Sequence, residues 1–241
     1  MGTVPTEAGP AGRPPGPLVE IEVGDDAVDW QSLGFAISHD VATVGTVRLR
    51  FAGAGDERGR GIVGWTLRHV GAPAGDVDGL PTDYATAGVG EADETEADET
   101  EAGEVDGGGH PNGVTHIDHI VVTTPDLDRT TEALATVGVE PRRTREAGRG
   151  RLQRFFRLGE VILEVVGPAE PAGDAPATFW GLAFAVADID ATAAQLTGRI
   201  GEPREAVQQG RRIATVRNGD EVSVPVAMMS GLADGRPRSG R

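Results

Sequence analysis

One stretch of sequence occurs three times in this chain, and the repeat constrains the fold more than any other feature. The middle copy begins with HIDHIVVTTPDLD at residues 116–128, and the third begins with WGLAFAVADID at residues 180–190. A more divergent first copy begins with LVEIEVGD at residues 18–25. A period of about fifty residues indicates duplicated supersecondary units that pack against one another.

Each complete copy has the pattern of a strand, a helix and three further strands. In the middle copy, alternation predicts a first strand with Ile117, His119 and Val121 on one face. Thr124 and Pro125 suit the start of a helix, and Gly138 suits its end. Glycines then separate three predicted strands, Val139–Glu146, Arg151–Leu158 and Val161–Val166. The third copy repeats the pattern with strands Phe179–Val186, Glu202–Val207, Arg212–Arg217 and Val222–Met229 and a helix over 188–197.

The N-terminal half contains less than two units. A strand at Leu18–Val23, a helix around Ala27–Leu33 and strands near Phe35–Val44 and Thr46–Ala52 make one unit. A strand at Val63–Leu67 matches the start of the third copy, and this fourth unit then stops. We therefore predict an α+β fold of repeated βαβββ modules. The predicted parts are a disordered tail (1–17), a partial module (18–84), an acidic disordered linker (85–113), a two-module domain (114–230) and a second disordered tail (231–241).

Composition excludes several functional classes. The formal charge is −16 and all 22 basic residues are arginine, so a nucleic-acid partner is not expected. Nine carboxylates without a base lie between Glu91 and Asp106, and such a run is expected to stay disordered. There is no cysteine, no apolar run of membrane-spanning length and no N-terminal segment like a signal peptide. We expect a soluble cytoplasmic protein, with an acidic bias like that of proteins from salt-loving microbes.

The middle and third copies resemble the two modules of a vicinal oxygen chelate domain, the glyoxalase and dioxygenase superfamily. The resemblance rests on Asp118–Val122 and Pro125–Arg129 in the first module and on Leu182–Asp190 in the second. It covers about residues 114–230. In that superfamily, paired modules curl around a pocket, and a divalent metal is commonly held by residues from the first and last strands of each module.

The resemblance places His119 and Glu164 at the metal-ligand positions of the first module. In the second module the corresponding positions are Gly181 and Ala227, or Met228 after a shift of one residue, and neither position offers a good ligand. In the N-terminal copy they are Glu20 and Arg50. Two of four ligands are therefore present. The resemblance implies a divalent metal as cofactor, and the alternative is that His119 and Glu164 form a hydrogen-bonded pair within a pocket.

The remaining candidate pocket residues are more apolar than catalytic. The faces of the strands place Gly181 with Phe179, Ala183 and Ala185, where small side chains leave room for a ligand, while Trp180, Leu182 and Phe184 pack against the helix. Alternation leaves open whether Phe155 or Phe156, with Arg154 or Arg157, lines the cavity. Arg211 and Arg212 could clamp an anionic substrate or lie on a surface edge. The substrate-binding residues that we predict are Gly181, Phe179, Phe155, Arg157 and Arg211.

Two functions of different classes follow. One is an enzyme of the lyase, isomerase or dioxygenase type, with Glu164 as general base and His119 or a metal polarising a carbonyl oxygen. The other is a metal-free protein of the same fold that sequesters or senses a small molecule, which the residues Gly181 and Ala227 favour. In either case the expected partner is a small organic ligand or substrate, without nucleic acid or membrane, and a homodimer is a candidate assembly.

Overall fold

The structure is a computed structural model that describes residues 18–68, 75–85, 109–217 and 221–231. The predicted disordered tail at 1–17, nearly all of the acidic linker and the end of the C-terminal tail lie outside the described residues. The elements are β1 (Leu18–Val23), α1 (Ala27–Gln31), β2 (Val41–Val44), β3 (Val47–Phe51), β4 (Ile62–Arg68), β5 (Thr82–Ala85), β6 (Val114–Thr123), α2 (Leu127–Thr136), β7 (Pro141–Gly148), β8 (Arg151–Leu158), β9 (Val161–Pro168), β10 (Thr178–Val186), α3 (Ile189–Gln195), β11 (Arg204–Glu205), β12 (Arg212–Thr215) and β13 (Val226–Ser230).

The two complete copies form one eight-stranded sheet with the order β11-β12-β13-β10-β6-β9-β8-β7. Within each copy the first and last strands are parallel, as in the pairs β6–β9 and β10–β13. The two first strands, β6 and β10, run antiparallel at the centre, where Ile120 lies opposite Leu182. These two residues hold corresponding places in their repeats, so the modules are related by an approximate twofold axis. The α+β fold of βαβββ modules is confirmed.

The N-terminal half forms a five-stranded sheet with the order β2-β3-β1-β4-β5. Strands β1 and β3 are parallel, as the first and last strands of a complete unit are. The short strand β5, which alternation did not predict, pairs parallel with β4. Among the described residues, the fourth unit therefore keeps its first and last strands without the helix and two strands that separate them in a complete unit.

Local sequence explains where the helices begin. The N-cap of α2 is Asp126, whose side chain accepts hydrogen bonds from the backbone N–H groups of Asp128 and Arg129. Asp188 caps α3 in the same way. The predicted start at Thr124 and Pro125 is therefore two residues early, because an aspartate that binds two free N–H groups defines the first turn. The predicted end at Gly138, with φ of +75°, agrees with the structure.

Irregular pairing in β6 and β10 changes which side chains share a face. The register shifts between Ile117 and His119 and again between Phe179 and Gly181. Ile117 consequently joins Ile120 on the buried face, apart from His119, which corrects the predicted alternation. Trp180 does not pack against a helix as predicted, since 55% of its surface is exposed.

The two halves of the chain share one hydrophobic core. The ring of Phe184 in β10 packs at 5.0 Å from Phe35 and at 6.1 Å from Trp30 of the N-terminal half. A fully buried carboxylate joins the same halves: Asp25 accepts hydrogen bonds from Trp30, Arg60 and the backbone and hydroxyl of Ser223. The described helices are all too short or too polar to cross a membrane.

Candidate functional site

A cavity of about 640 Å³ opens on the face of the eight-stranded sheet that α2 does not cover. Arg154 points toward α2, where it donates to Thr131 and Leu127, so its neighbours Gln153 and Phe155 point to the opposite, open face. We call this cavity the cleft. It is lined by residues of both modules: Asp118, His119, Arg142, Arg143, Arg145, Gln153, Phe155, Phe156, Arg157, Ile162, Glu164, Ala206, Val207, Gln208, Gln209, Ile213 and Met229.

Strand pairing arranges the lining residues in rows across the sheet. Arg143 lies opposite Phe155, and Phe155 lies opposite Glu164 on the next strand. A second row joins Arg157 to Ile162 and then to His119. Adjacent strands are about 4.8 Å apart. A ligand that touches Glu164 and His119 can therefore also reach the arginines at the other ends of the two rows.

A chain of three polar side chains fixes the position of His119. Its Nδ1 lies 2.9 Å from Oδ2 of Asp118, and the other carboxylate oxygen of Asp118 lies 2.5 Å from Nη2 of Arg211. Burial tends to raise the pKa of Asp118, but the bonds from His119 and Arg211 outweigh it and hold this pKa at about 2. The ionised carboxylate selects the Nδ1–H form of the imidazole, which leaves Nε2 without a hydrogen bond to the described residues.

Glu164 is the second ionisable group at the floor of the cleft. Its carboxylate accepts a hydrogen bond from Nε2 of Gln153, and Oε1 of Gln153 accepts one from Nε of Arg145 at 2.9 Å. Burial raises the pKa of Glu164, although the charges of His119 and Arg145 act in the opposite direction. A carboxylate with a raised pKa is a stronger base than an ordinary surface glutamate.

Arginines form the outer wall of the cleft. The guanidinium groups of Arg143 and Arg145 lie over the ring of Phe155, at 5.0 and 5.4 Å from its centre. Arg157 donates to the backbone carbonyl of Glu160 at 3.2 Å. The aromatic ring supports two cations that would otherwise repel each other, because its face attracts positive charge.

The structure gathers some of the predicted site residues and separates others. His119, Glu164, Phe155 and Arg157 all line the cleft, and Phe156 also reaches it. Arg211 is 5% exposed, and its side chain donates to Gln208 and Ser230 besides Asp118. It therefore positions Asp118 and does not itself line the cleft.

Gly181 and Phe179 lie outside the cleft lining. A Cβ atom at Gly181 would lie 2.6 Å from the carbonyl oxygen of Pro225, so the close approach of the backbone at Pro225 requires this glycine. Phe179 packs against Trp65 with ring centres 5.2 Å apart. The small residue and the aromatic ring thus serve packing between strands and between halves, rather than making room for a ligand.

The donor set does not suit a metal centre of the type that the resemblance implies. His119 and Glu164 supply one nitrogen and one carboxylate, whereas Gly181 and Ala227 offer no side-chain donor. Within the described ranges, no three His, Asp or Glu side chains come together as a potential metal site. Two protein donors are fewer than stable zinc or transition-metal sites use.

The equivalent face of the N-terminal sheet is filled by ion pairs. Glu20, which corresponds to His119, accepts from Arg48 at 2.9 Å and from Arg50 at 2.8 Å. Arg50 corresponds to Glu164, since it lies two residues beyond the partner of Glu20 on the parallel strand. Both arginines there are held by the same carboxylate, and Glu20 balances one of their two charges.

The sequence reasoning missed several residues of the cleft. Strict alternation assigned Asp118 to the strand face opposite His119. The bulge at Asp118 arises from pairing with β10, which the local sequence does not reveal. Gln153 carried no local signal. Arg145 could have been found from the cluster of arginines at 142, 143 and 145 beside a strand with two phenylalanines, which is a composition suited to a cationic surface.

Comparisons with known proteins identify the fold. No protein-family model matches the chain, and no curated protein matches it. The structure resembles a triple mutant of 4-hydroxymandelate synthase from Streptomyces coelicolor, with a TM-score of 0.59 over 92% of this chain and 95% of that one, at 15% identity.

Structures of methylmalonyl-CoA epimerase also match. The enzyme from Streptomyces coelicolor, in complex with 2-nitronate-propionyl-CoA, matches 52% of this chain and 99% of its own at 26% identity, with a TM-score of 0.41. The enzyme from Mycobacterium tuberculosis matches 49% and 89% at 19% identity, with a TM-score of 0.40. At these TM-scores the epimerases add nothing to the assignment. The match to the synthase, together with the paired βαβββ modules, shows that this chain has the glyoxalase-like fold of the vicinal oxygen chelate superfamily.

Proposed function

We propose that the cleft binds a small organic molecule and that Glu164 and His119 transfer a proton at a carbon next to its carbonyl group. This assigns the protein to the lyase or isomerase type of chemistry. The observation that carries the proposal is that a half-buried carboxylate with a raised pKa and an oriented imidazole line the same open cavity.

The two groups have complementary parts in this chemistry. The carboxylate of Glu164 removes the proton from carbon, and the electron pair of that bond moves into the carbonyl group to give an enolate. His119 in its protonated form donates from Nε2 to the developing enolate oxygen, while ionised Asp118 stabilises the imidazolium through Nδ1. Delivery of a proton to the opposite face of that carbon, or to the neighbouring carbon after the carbonyl has moved, completes an isomerisation, whereas expulsion of a neighbouring group completes an elimination.

A second candidate is a protein of the same fold that binds a small molecule without changing it. The absence of side-chain donors at Gly181 and Ala227 favours this function, because His119 and Glu164 alone are too few donors to hold a metal that would stabilise an enolate. The two functions differ in one measurable property, which is the exchange of substrate protons with solvent.

Deuterium exchange tests the proposal. The protein is incubated in D₂O with a panel of small ketones, 2-oxo acids and thioesters, and incorporation of deuterium next to the carbonyl is followed by NMR. We expect catalysed exchange of at least one compound, and a loss of about 100-fold or more in Glu164→Gln. The rate should rise with pH through the raised pKa of Glu164, because only the ionised form accepts the proton.

Arg151→Ala serves as the control, since Arg151 is exposed on β8 and does not line the cleft. It should leave the rate unchanged. Exchange that survives Glu164→Gln would assign the base elsewhere. Binding of panel compounds without any exchange would instead support the non-catalytic function.

A further inference from the structure

Four arginines of the cleft lack carboxylate partners. Arg142, Arg143, Arg145 and Arg157 line the cavity, yet none forms an ion pair with the described residues. Nine other arginines do form such pairs: Arg48, Arg50, Arg58, Arg60, Arg129, Arg154, Arg199, Arg211 and Arg212. Five further described arginines, Arg68, Arg149, Arg151, Arg204 and Arg217, also form no ion pair with the described residues, but none of them lines the cavity. In a chain with 38 carboxylates and only 22 basic residues, this one cavity gathers four arginines without a carboxylate partner.

The charges inside the cleft do not balance. Asp118 is neutralised by Arg211, so Glu164 is the one remaining carboxylate among the lining residues to set against the four arginines. With His119 left out of the count, the remaining lining residues therefore carry a surplus of three positive charges. A single carboxylate ligand would remove one of them, whereas a phosphate monoester carries about −1.5 to −2 and a diphosphate more.

Contacts with neighbouring side chains hold Arg143 and Arg145 in positions that suit the binding of an anion. Phe155 supports the guanidinium groups of Arg143 and Arg145 from one side, and Gln153 accepts from Arg145. Their remaining N–H groups are free to form paired hydrogen bonds with anionic oxygens, which planar guanidinium groups do well. Arg143 shares a row with Glu164 two strands away, which separates the anion-binding end from the acid–base end by about 10 Å along the sheet.

We infer that the ligand of this cleft is a phosphorylated organic compound, whose phosphate or diphosphate group binds Arg142, Arg143 and Arg145 and whose carbonyl end reaches Glu164 and His119. The inference rests on the proposed function for the role of the carbonyl end, but the phosphate subsite can be tested without catalysis. The acidic remainder of the chain repels anions elsewhere, so binding should concentrate at this wall.

Calorimetric titration of the full-length protein with inorganic pyrophosphate, inorganic phosphate and succinate tests the inference. We expect pyrophosphate to bind most tightly, and its dissociation constant to rise about tenfold or more in Arg143→Ala/Arg145→Ala. The control Arg149→Asn/Arg151→Ala removes the same charge from the same hairpin outside the cleft, at exposed positions. It should change the constant by less than about twofold, an effect of screened surface charge.

The outcomes separate this inference from the proposed function. Glu164→Gln should retain or strengthen pyrophosphate binding, because it removes a negative charge from the cleft. The same substitution should abolish proton exchange. No binding of pyrophosphate by the wild type would overturn the inference, as would equal weakening in the test and control variants or tighter binding of succinate. Arg142→Ala gives a second test at an exposed side chain and should weaken pyrophosphate about threefold or more.

Discussion

At the scale of single residues, the β-bulge in β6 brings the side chains of Asp118 and His119 together. It places Asp118 and His119 consecutively on the cleft side of a strand, where alternation would send them to opposite faces. Their side chains then contact each other at 2.9 Å. The bulge thus converts two neighbours in sequence into an oriented acid–base pair.

The pair Asp118–Arg211 should also make stability depend on pH. The side chain of Asp118 is 11% exposed and its pKa falls from 3.8 to about 2 in the folded protein. Its ionised form stabilises the fold above pH 3.8, by about 2 kcal/mol, and this contribution disappears as pH falls through 2. Asp118→Asn should therefore lose about 2 kcal/mol at pH 7 in urea unfolding, and the difference from the wild type should fall by about half at pH 3.

Glu132→Gln is the matched control, because Glu132 is exposed on α2 and forms no ion pair with the described residues. Its stability should follow that of the wild type at both pH values. A difference between Asp118→Asn and wild type that stays constant from pH 7 to pH 3 would contradict the assigned role of the ionised carboxylate.

The candidate residues were only partly predictable from sequence. His119 and Glu164 were identified because they occupy matched places on the first and last strands of a repeat. Asp118 and Arg211 were not assigned to support His119, since their contact depends on a bulge and on a turn over residues 206–211 that joins β11 to β12. Such long-range pairing leaves no periodic signal in the chain.

At the scale of elements, two short helices depend on aspartate caps. Asp126 and Asp188 each satisfy two backbone N–H groups that no helical carbonyl can reach. Because α2 carries Leu127 and Leu134 into the core, loss of its cap should weaken the packing of α2 against the eight-stranded sheet.

Asp126→Ala should reduce the free energy of unfolding by about 1 kcal/mol, and Asp126→Asn should retain most of it, since an amide oxygen can also accept the two bonds. Chemical denaturation monitored by far-UV circular dichroism would measure both. Equal losses in the two variants would mean that the carboxylate charge, rather than the cap geometry, stabilises the helix.

Element boundaries were less predictable than element order. The strands of the eight-stranded sheet were expected in their correct sequence, because the repeat marks each of them. Strand β11 shrank to Arg204–Glu205, and the predicted strand at Phe35–Val44 became β2 at Val41–Val44, where chain pairing begins. Strand β5 was missed because four residues with one strongly apolar side chain do not show alternation.

At the scale of the whole molecule, we expect the two halves to unfold as one unit. They share a core around Trp30 and Phe184, and Asp25 links Arg60 to Ser223 across the junction. A second link joins Asp78 of the N-terminal half to Arg129 at 2.7 Å. Contacts of this kind predict cooperative unfolding.

Asp25→Ala should lower the free energy of unfolding by about 3 kcal/mol, because it removes a fully buried acceptor and leaves the indole N–H of Trp30 and the backbone N–H of Ser223 without a partner. The unfolding curves from tryptophan fluorescence and circular dichroism should coincide in the wild type. Two separated transitions would show that the halves are independent domains.

The reduced fourth unit has a consequence for how such a chain can be modified. Strands β4 and β5 lie where β10 and β13 lie in the other half, and the described residues of the N-terminal half include no counterparts of α3, β11 and β12. The residues of the second module that line the cleft, at 206–209 and at Ile213, therefore have no equivalents in that part of the chain. The N-terminal sheet serves its neighbour as a packing partner, so substitutions on its buried face offer a way to change stability separately from ligand recognition.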